Sequence, residues 1–222
     1  MVVAYHGCDI EIGARIVAGE IIHLKPSHNP YDWLGDGVYF FEEDPLRAWM
    51  FAKASADAPE RRLTAGPITH PYVIGAVIRL GNCLDLSKQE GITEVQRAFE
   101  IMDRRKGPDQ ELPKNKPARP DDEEFILHNL DRAVINFVHS HRFAMRLPPY
   151  DTVRGYFRQG KPAFPTSAIN QLSHVQIAVR NISCITGYFH PLIPVPDPFQ
   201  GLNKSRPIPY RLRKAGPKKD AY

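Results

Sequence analysis

The run Tyr72-Val73-Ile74-Gly75-Ala76-Val77-Ile78-Arg79-Leu80 is too densely apolar to alternate between core and water, so it reads as a strand buried on both faces. A sheet built around such a strand needs cover on each side. The rest of the chain must supply that cover within 222 residues, which is enough for one sizeable core.

Helices are available. Asp9 is placed as an N-cap, with Ile12 and Ile16 four apart behind it and Gly19 as a stop. Asp44-Pro45 reads as N-cap and first residue of a second helix, with Leu46, Trp49, Met50 and Lys53 at helical spacing. Ser87 and Glu90 suggest a capping box ahead of Ile92, Val95, Phe99 and Met102. A fourth helix is expected over 122–141, with acidic residues at 121–124 and the stripe Ile126, Leu130, Val134, Phe137.

Further strands are expected at Val2–Tyr5, 37–41, 175–180 and 185–189. Residues 150–155 show little periodicity. Short strands separated by helices predict an α+β fold rather than regular βαβ repeats.

Composition supports a globular protein, with 42% hydrophobic and 24% charged residues and no run of about 18 apolar residues to span a bilayer. The first residues lack the pattern of a secretory signal, and three scattered cysteines (Cys8, Cys83, Cys184) suggest no disulfide framework, so a cytoplasmic location away from membranes is expected. The net charge of +4 is unevenly placed: residues 201–222 carry seven Lys/Arg against one Asp, leaving −2 for residues 1–200. That Pro-rich basic extension, 191–222, reads either as a solvated end or as a binder of phosphates, with Tyr210 able to stack on a base.

Several segments resemble one family. Residues 5–41 resemble the NAD-binding half of the ADP-ribosyltransferase fold, in the branch shared by diphtheria-type toxins and poly(ADP-ribose) polymerases. The residues concerned are His6-Gly7, then Gly35-Asp36-Gly37-Val38-Tyr39-Phe40, then a helix carrying Ala48. Gly75–Leu86 is similar to the polymerases' buried strand with its Leu-Gly-Asn, and Tyr150–Gly155 to their Ser/Thr-Val-Lys-Gly segment. Gln176-Ile177-Ala178-Val179-Arg180-Asn181 resembles the family's Glu-Tyr-Ile-Val-Tyr-Asp strand, with Gln176 where the catalytic glutamate stands.

The resemblance implies split antiparallel sheets with an NAD cleft between them, a catalytic domain over 1–190 and a helical insertion over about 87–145. It implies NAD as co-substrate. His6 would bond the adenosine ribose, Gly7 the nicotinamide carboxamide, and Tyr39 would stack on the nicotinamide ring. Arg47 falls where the polymerases have a carboxamide-binding Ser, next to Ala48 and Trp49.

Gln176 carries no charge and cannot act as a base, so transfer of a single ADP-ribose is expected rather than polymer growth. Glu42, Glu43 and Arg154 are candidates for binding the acceptor, although Glu42-Glu43-Asp44 also suits the first turn of a helix. Small relatives of this kind are often toxins in bacterial conflict or phage defence, which implies a possible antitoxin or inhibitor protein as partner.

Nucleic acid, RNA or DNA, is slightly favoured as acceptor over protein. A protein mono-ADP-ribosyltransferase, an NAD glycohydrolase and an inactive NAD- or nucleic-acid-binding module on the same fold remain alternatives. No metal is expected: His139 and His141 lie two apart on a helix, on different faces, and read as solvated.

Overall fold

The computed structural model describes residues 1–29, 32–61, 64, 66–117 and 124–192. The basic extension therefore lies outside the described residues from position 193 onward. Among the described residues seven strands and four α-helices form an α+β fold: β1 (Val2–Asp9), α1 (Ile10–Val17), β2 (Val38–Glu42), α2 (Pro45–Asp57), β3 (Pro71–Ile78), β4 (Cys83–Asp85), α3 (Gln89–Arg105), α4 (Asn129–Ala144), β5 (Thr152–Phe157), β6 (His174–Val179) and β7 (Ile185–Phe189).

The strands join in one sheet ordered β4-β5-β6-β2-β1-β3-β7. Two separate antiparallel sheets were expected; here the two halves meet along a seam only two residue pairs wide, Ala4↔Glu42 and Tyr5↔Phe41. Elsewhere pairing is longer, with eight pairs between β1 and β3 and six between β5 and β6. The β4–β5 pair is parallel, so the sheet is mixed.

Both faces of β3 are covered, as its sequence demands. On one face Ala4, Phe40, Ile74, Ala76, Ile78, Ile177 and Val179 pack with Ile16 of α1 and Leu24. On the other, Tyr5, Phe41 and Val73 receive Ala48 of α2, while Leu84, Val153 and Ala178 receive Ala98 of α3 and Val134, Ile135 and Val138 of α4. Complete burial of Phe40, Ile74 and Ile78 contributes about 1.5–3 kcal/mol each.

Local signals set the first two helices. Asp9 caps α1 by accepting from Glu11 N at 3.0 Å, and its second oxygen takes Thr69 N, Thr69 Oγ1 and His70 N at 2.7–3.0 Å. Asp44 caps α2 by accepting from Arg47 N at 2.8 Å, with Pro45 in the first turn.

The buried faces differ from the apolar stripes. In α1, Gly13 and Ile16 are buried while Ile12 is exposed. In α2 the inner side is Arg47, Ala48 and Ala52, and Leu46 and Met50 face outward. The cause is Gly7: a Cβ there would strike the Ala48 carbonyl, so the helix lies too close to β1 for large side chains.

The capping box at Ser87 does not form. Ser87 Oγ donates to Asp85 Oδ1 at 2.6 Å, and α3 begins at Gln89 without a side-chain cap. The fourth helix starts at Asn129, because Leu127 pairs in extended form with Lys116 and Asn115 Oδ1 accepts from Leu130 N at 2.8 Å; positions 122–123 of the expected span lie outside the described residues. His139 and His141 pack rather than face water: His139 sits edge-on to Tyr150 with centroids 6.1 Å apart, and His141 stacks on Phe137 at 5.7 Å.

Candidate functional site

Tyr5, Phe41, Gln176 and Gly155 stand side by side across β1, β2, β6 and β5. Tyr39 and Phe157 are diagonal neighbours of Gln176 on the two flanking strands and share its face of the sheet. Such neighbours lie about 7–8 Å apart. Tyr5 and Phe41 lie under α2, and the Gln176–Gly155 end of the row falls between that footing and the footing of α3 and α4 on Leu84, Val153 and Ala178. Side chains, rather than a helix, meet above it.

Trp33 is the first of these. Its Nε1 donates to Gln176 Oε1 at 2.6 Å, and its ring lies 4.9 Å from Phe157. Indole nitrogen is a donor only, so the amide oxygen must be the atom facing it, and the Gln176 NH2 is turned away from Trp33. Glycine at 155 makes room, since a Cβ there would come within 2.6 Å of the indole. Gly155→Ala is therefore expected to displace Trp33 and shift the indole N–H resonance as its bond to Gln176 is lost. An unchanged resonance would contradict this arrangement.

Tyr39 is tied into the turn that carries Trp33. Its hydroxyl accepts from Leu34 N at 3.0 Å and donates to Gly35 O at 2.7 Å, and burial raises its pKa well above 10. The backbone carbonyl of the same residue accepts from His6 Nδ1 at 2.8 Å. His6 sits where β1 leaves β2, one residue beyond the seam, with its ring edge-on to Phe40 at 5.8 Å. Burial lowers its pKa and the Tyr39 carbonyl partly opposes that, so a neutral ring with Nε2 as an acceptor is favoured.

Gly7 lies under α2 against Ala48, which is fully buried, and Trp49 is partly buried in the same cluster. Arg47 crosses from α2 toward the segment before β6. It donates to Gln159 Oε1 and to Leu172 O, and its guanidinium carbon stands 5.1 Å from the centre of the Phe41 ring.

The three acceptor candidates do not join this group. Glu42 and Arg154 are on the opposite face of the sheet, in register with Ala4 and Ile177. Arg154 makes a two-pronged pair with Glu42, at 2.6 and 3.2 Å, and also reaches Ser87 at 3.1 Å and Asp85 at 3.4 Å. Its geometry is that of a clamp between β2, β5 and β4. Glu43 is exposed with φ 53°, and its N–H donates to Val3 O, prolonging the β1–β2 seam.

His128, His174 and Phe157 join this group without having been expected there. The His174 ring is 4.9 Å from Phe41 and 5.5 Å from Phe157, and its Nδ1 donates to Leu172 O at 2.6 Å. Burial, aided by the Arg47 cation, pulls its pKa down to about 4. His128 lies against the other side of the cluster, 5.1 Å from Phe157, with Nδ1 2.8 Å from Asp131 Oδ2. Nε2 of both rings is buried without a hydrogen-bond partner among the described residues. The only sequence signal was that His174 directly precedes the expected β6 strand.

Among the described residues no three His, Cys, Asp or Glu side chains are grouped to hold a metal ion, and no helix is long and apolar enough to cross a membrane. No family model, curated protein or solved structure matches the chain.

Proposed function

We propose that the protein is an NAD-dependent mono-ADP-ribosyltransferase. The observation that carries this reading is that Tyr39 and Gln176 meet on one face while His6, whose ring lies against Phe40 on the opposite face, is tied to the Tyr39 backbone where β1 parts from β2. The narrow β1–β2 seam supports reading the sheet as two halves around an NAD cleft, with Gly7, Ala48, Arg47 and Trp49 along its α2 wall.

In this reading nicotinamide leaves as a neutral base while C1′ of its ribose gains oxocarbenium character, and the protein contributes positioning and charge stabilisation. Gln176, with its oxygen held by Trp33, turns its NH2 toward the ribose. It orients the sugar and adds no negative charge.

Nucleic acid is the favoured acceptor. The basic extension offers cations for phosphates, and Trp33 and Phe157 offer ring faces on which a base can stack. A cytoplasmic toxin or defence effector, neutralised by a partner protein, fits this activity. Incubation with labelled NAD and, separately, RNA, DNA and total protein tests it: label is expected in nucleic acid, and label confined to protein overturns that acceptor.

One observation favours a second reading, an inactive binding module on the same fold. The Gln176 amide oxygen and the Tyr39 hydroxyl are both occupied within the protein. NAD binding without nicotinamide release would establish that alternative.

A further inference from the structure

Resting on the transferase reading, a step is left without an agent. When an acceptor O–H or N–H attacks C1′, the new C1′–O or C1′–N bond forms as the glycosidic C1′–N bond to nicotinamide breaks. Nicotinamide leaves with the bonding pair as a neutral molecule, and the acceptor must shed one proton. Gln176 has no basic atom to take it.

We propose that His128 is the base that takes the acceptor's proton, with Asp131 as its positioning residue. Asp131 Oδ2 holds His128 Nδ1 at 2.8 Å, and its other oxygen receives Asn115 Nδ2 at 2.8 Å. With Nδ1 donating to the carboxylate, Nε2 keeps its lone pair, and the carboxylate stabilises the imidazolium formed once the proton arrives.

The location is right for this role. His128 packs on Phe157, the diagonal neighbour of Gln176, and its ring centre is 6.5 Å from that of Trp33, which bonds Gln176 directly. Nε2 is buried without a hydrogen-bond partner among the described residues, so the role proposed requires the neighbouring Trp33 or Phe157 ring to move aside when an acceptor binds.

Helix capping does not account for the residue. His128 occupies the N-cap of α4, yet its side chain makes no cap bond; Asn115 accepts from the first-turn N–H of Leu130 instead. His174 is the weaker candidate, since its Nδ1 is held by a neutral carbonyl and its pKa is pulled down to about 4 by burial and Arg47.

The test uses the full chain, labelled NAD and total cellular RNA, and reads nicotinamide release and labelled RNA separately. His128→Asn keeps a side-chain N–H for Asp131 and removes Nε2. It is expected to cut labelling about 100-fold and to lower nicotinamide release much less, because breaking the C1′–N bond does not itself require the acceptor's proton to be removed.

Asp131→Asn favours the wrong imidazole tautomer and is expected to show the same split. Wild-type labelling by His128→Asn, or equal loss of release and labelling, would overturn the proposal. Absence of nicotinamide release from the wild type would instead overturn the transferase reading beneath it.

Discussion

Gln176→Ala is expected to slow nicotinamide release from NAD by about 10²-fold, the order of loss that follows when a reacting group is held about 1 Å out of place. The effect should fall on kcat rather than stability. Gln176 is only partly buried, and its side chain bonds Trp33 rather than filling the core. Gln176→Glu is the converse. Trp33 can donate to one carboxylate oxygen while the other faces C1′, and opposite charges about 4 Å apart attract by about 4 kcal/mol at an effective dielectric of 20. Desolvation of the carboxylate consumes part of that, leaving a rise of about tenfold or more. A slower Gln176→Glu enzyme would place the reacting carbon somewhere other than beside β6.

Acid is expected to destabilise the fold well before the carboxylates titrate. Burial lowers the pKa of His139 to about 3, with the cations of Arg180 and Arg142 adding to the effect and Asp36 opposing it; His174 falls to about 4. In the unfolded chain both return to about 6.5. Between these limits the unfolded state binds protons that the native state refuses, so stability is full above pH 6.5 and is lost as pH falls toward 4. At about 1.4 kcal/mol per unit, the two residues together account for several kcal/mol. A fall in Tm of about 10 °C between pH 7.5 and 5 follows for a chain of this size. His139→Leu should remove about half of that fall; an equal fall in the variant would show that His139 is not the titrating group.

What could be read from the sequence was local. Asp9 and Asp44-Pro45 set helix starts through bonds two and three residues away, and the density of apolar residues at 72–80 required a strand covered on both sides. The inner face of α2 could not be read from its own periodicity, because Gly7 on another strand decides how close the helix comes. Likewise β4 and β5 escaped notice: Cys83–Asp85 is only three residues long, and Thr152–Phe157 alternates a clamp residue, Arg154, with a glycine that accommodates Trp33.

The candidate site divides the same way. His6, Tyr39 and Gln176 were visible as residues in motifs, but the Trp33–Gln176 bond spans 143 positions. Nothing in either segment announces the other. His128 and His174 both meet the site at Phe157, a contact set by strand register, with Trp33 beside His128 and Phe41 beside His174. Glu42 shows the converse: it follows the Tyr39 strand in sequence, yet alternation along β2 puts it on the opposite face, where it pairs with Arg154.

The central claim is that Tyr39 and Gln176 line a site that cleaves the nicotinamide bond of NAD. Nicotinamide released from NAD by purified full-length protein, in the presence of total cellular RNA, tests it most directly. Steady release by the wild type is expected, with a loss of about 10²-fold in Gln176→Ala. No release by the wild type, or the same rate in both proteins, would contradict it.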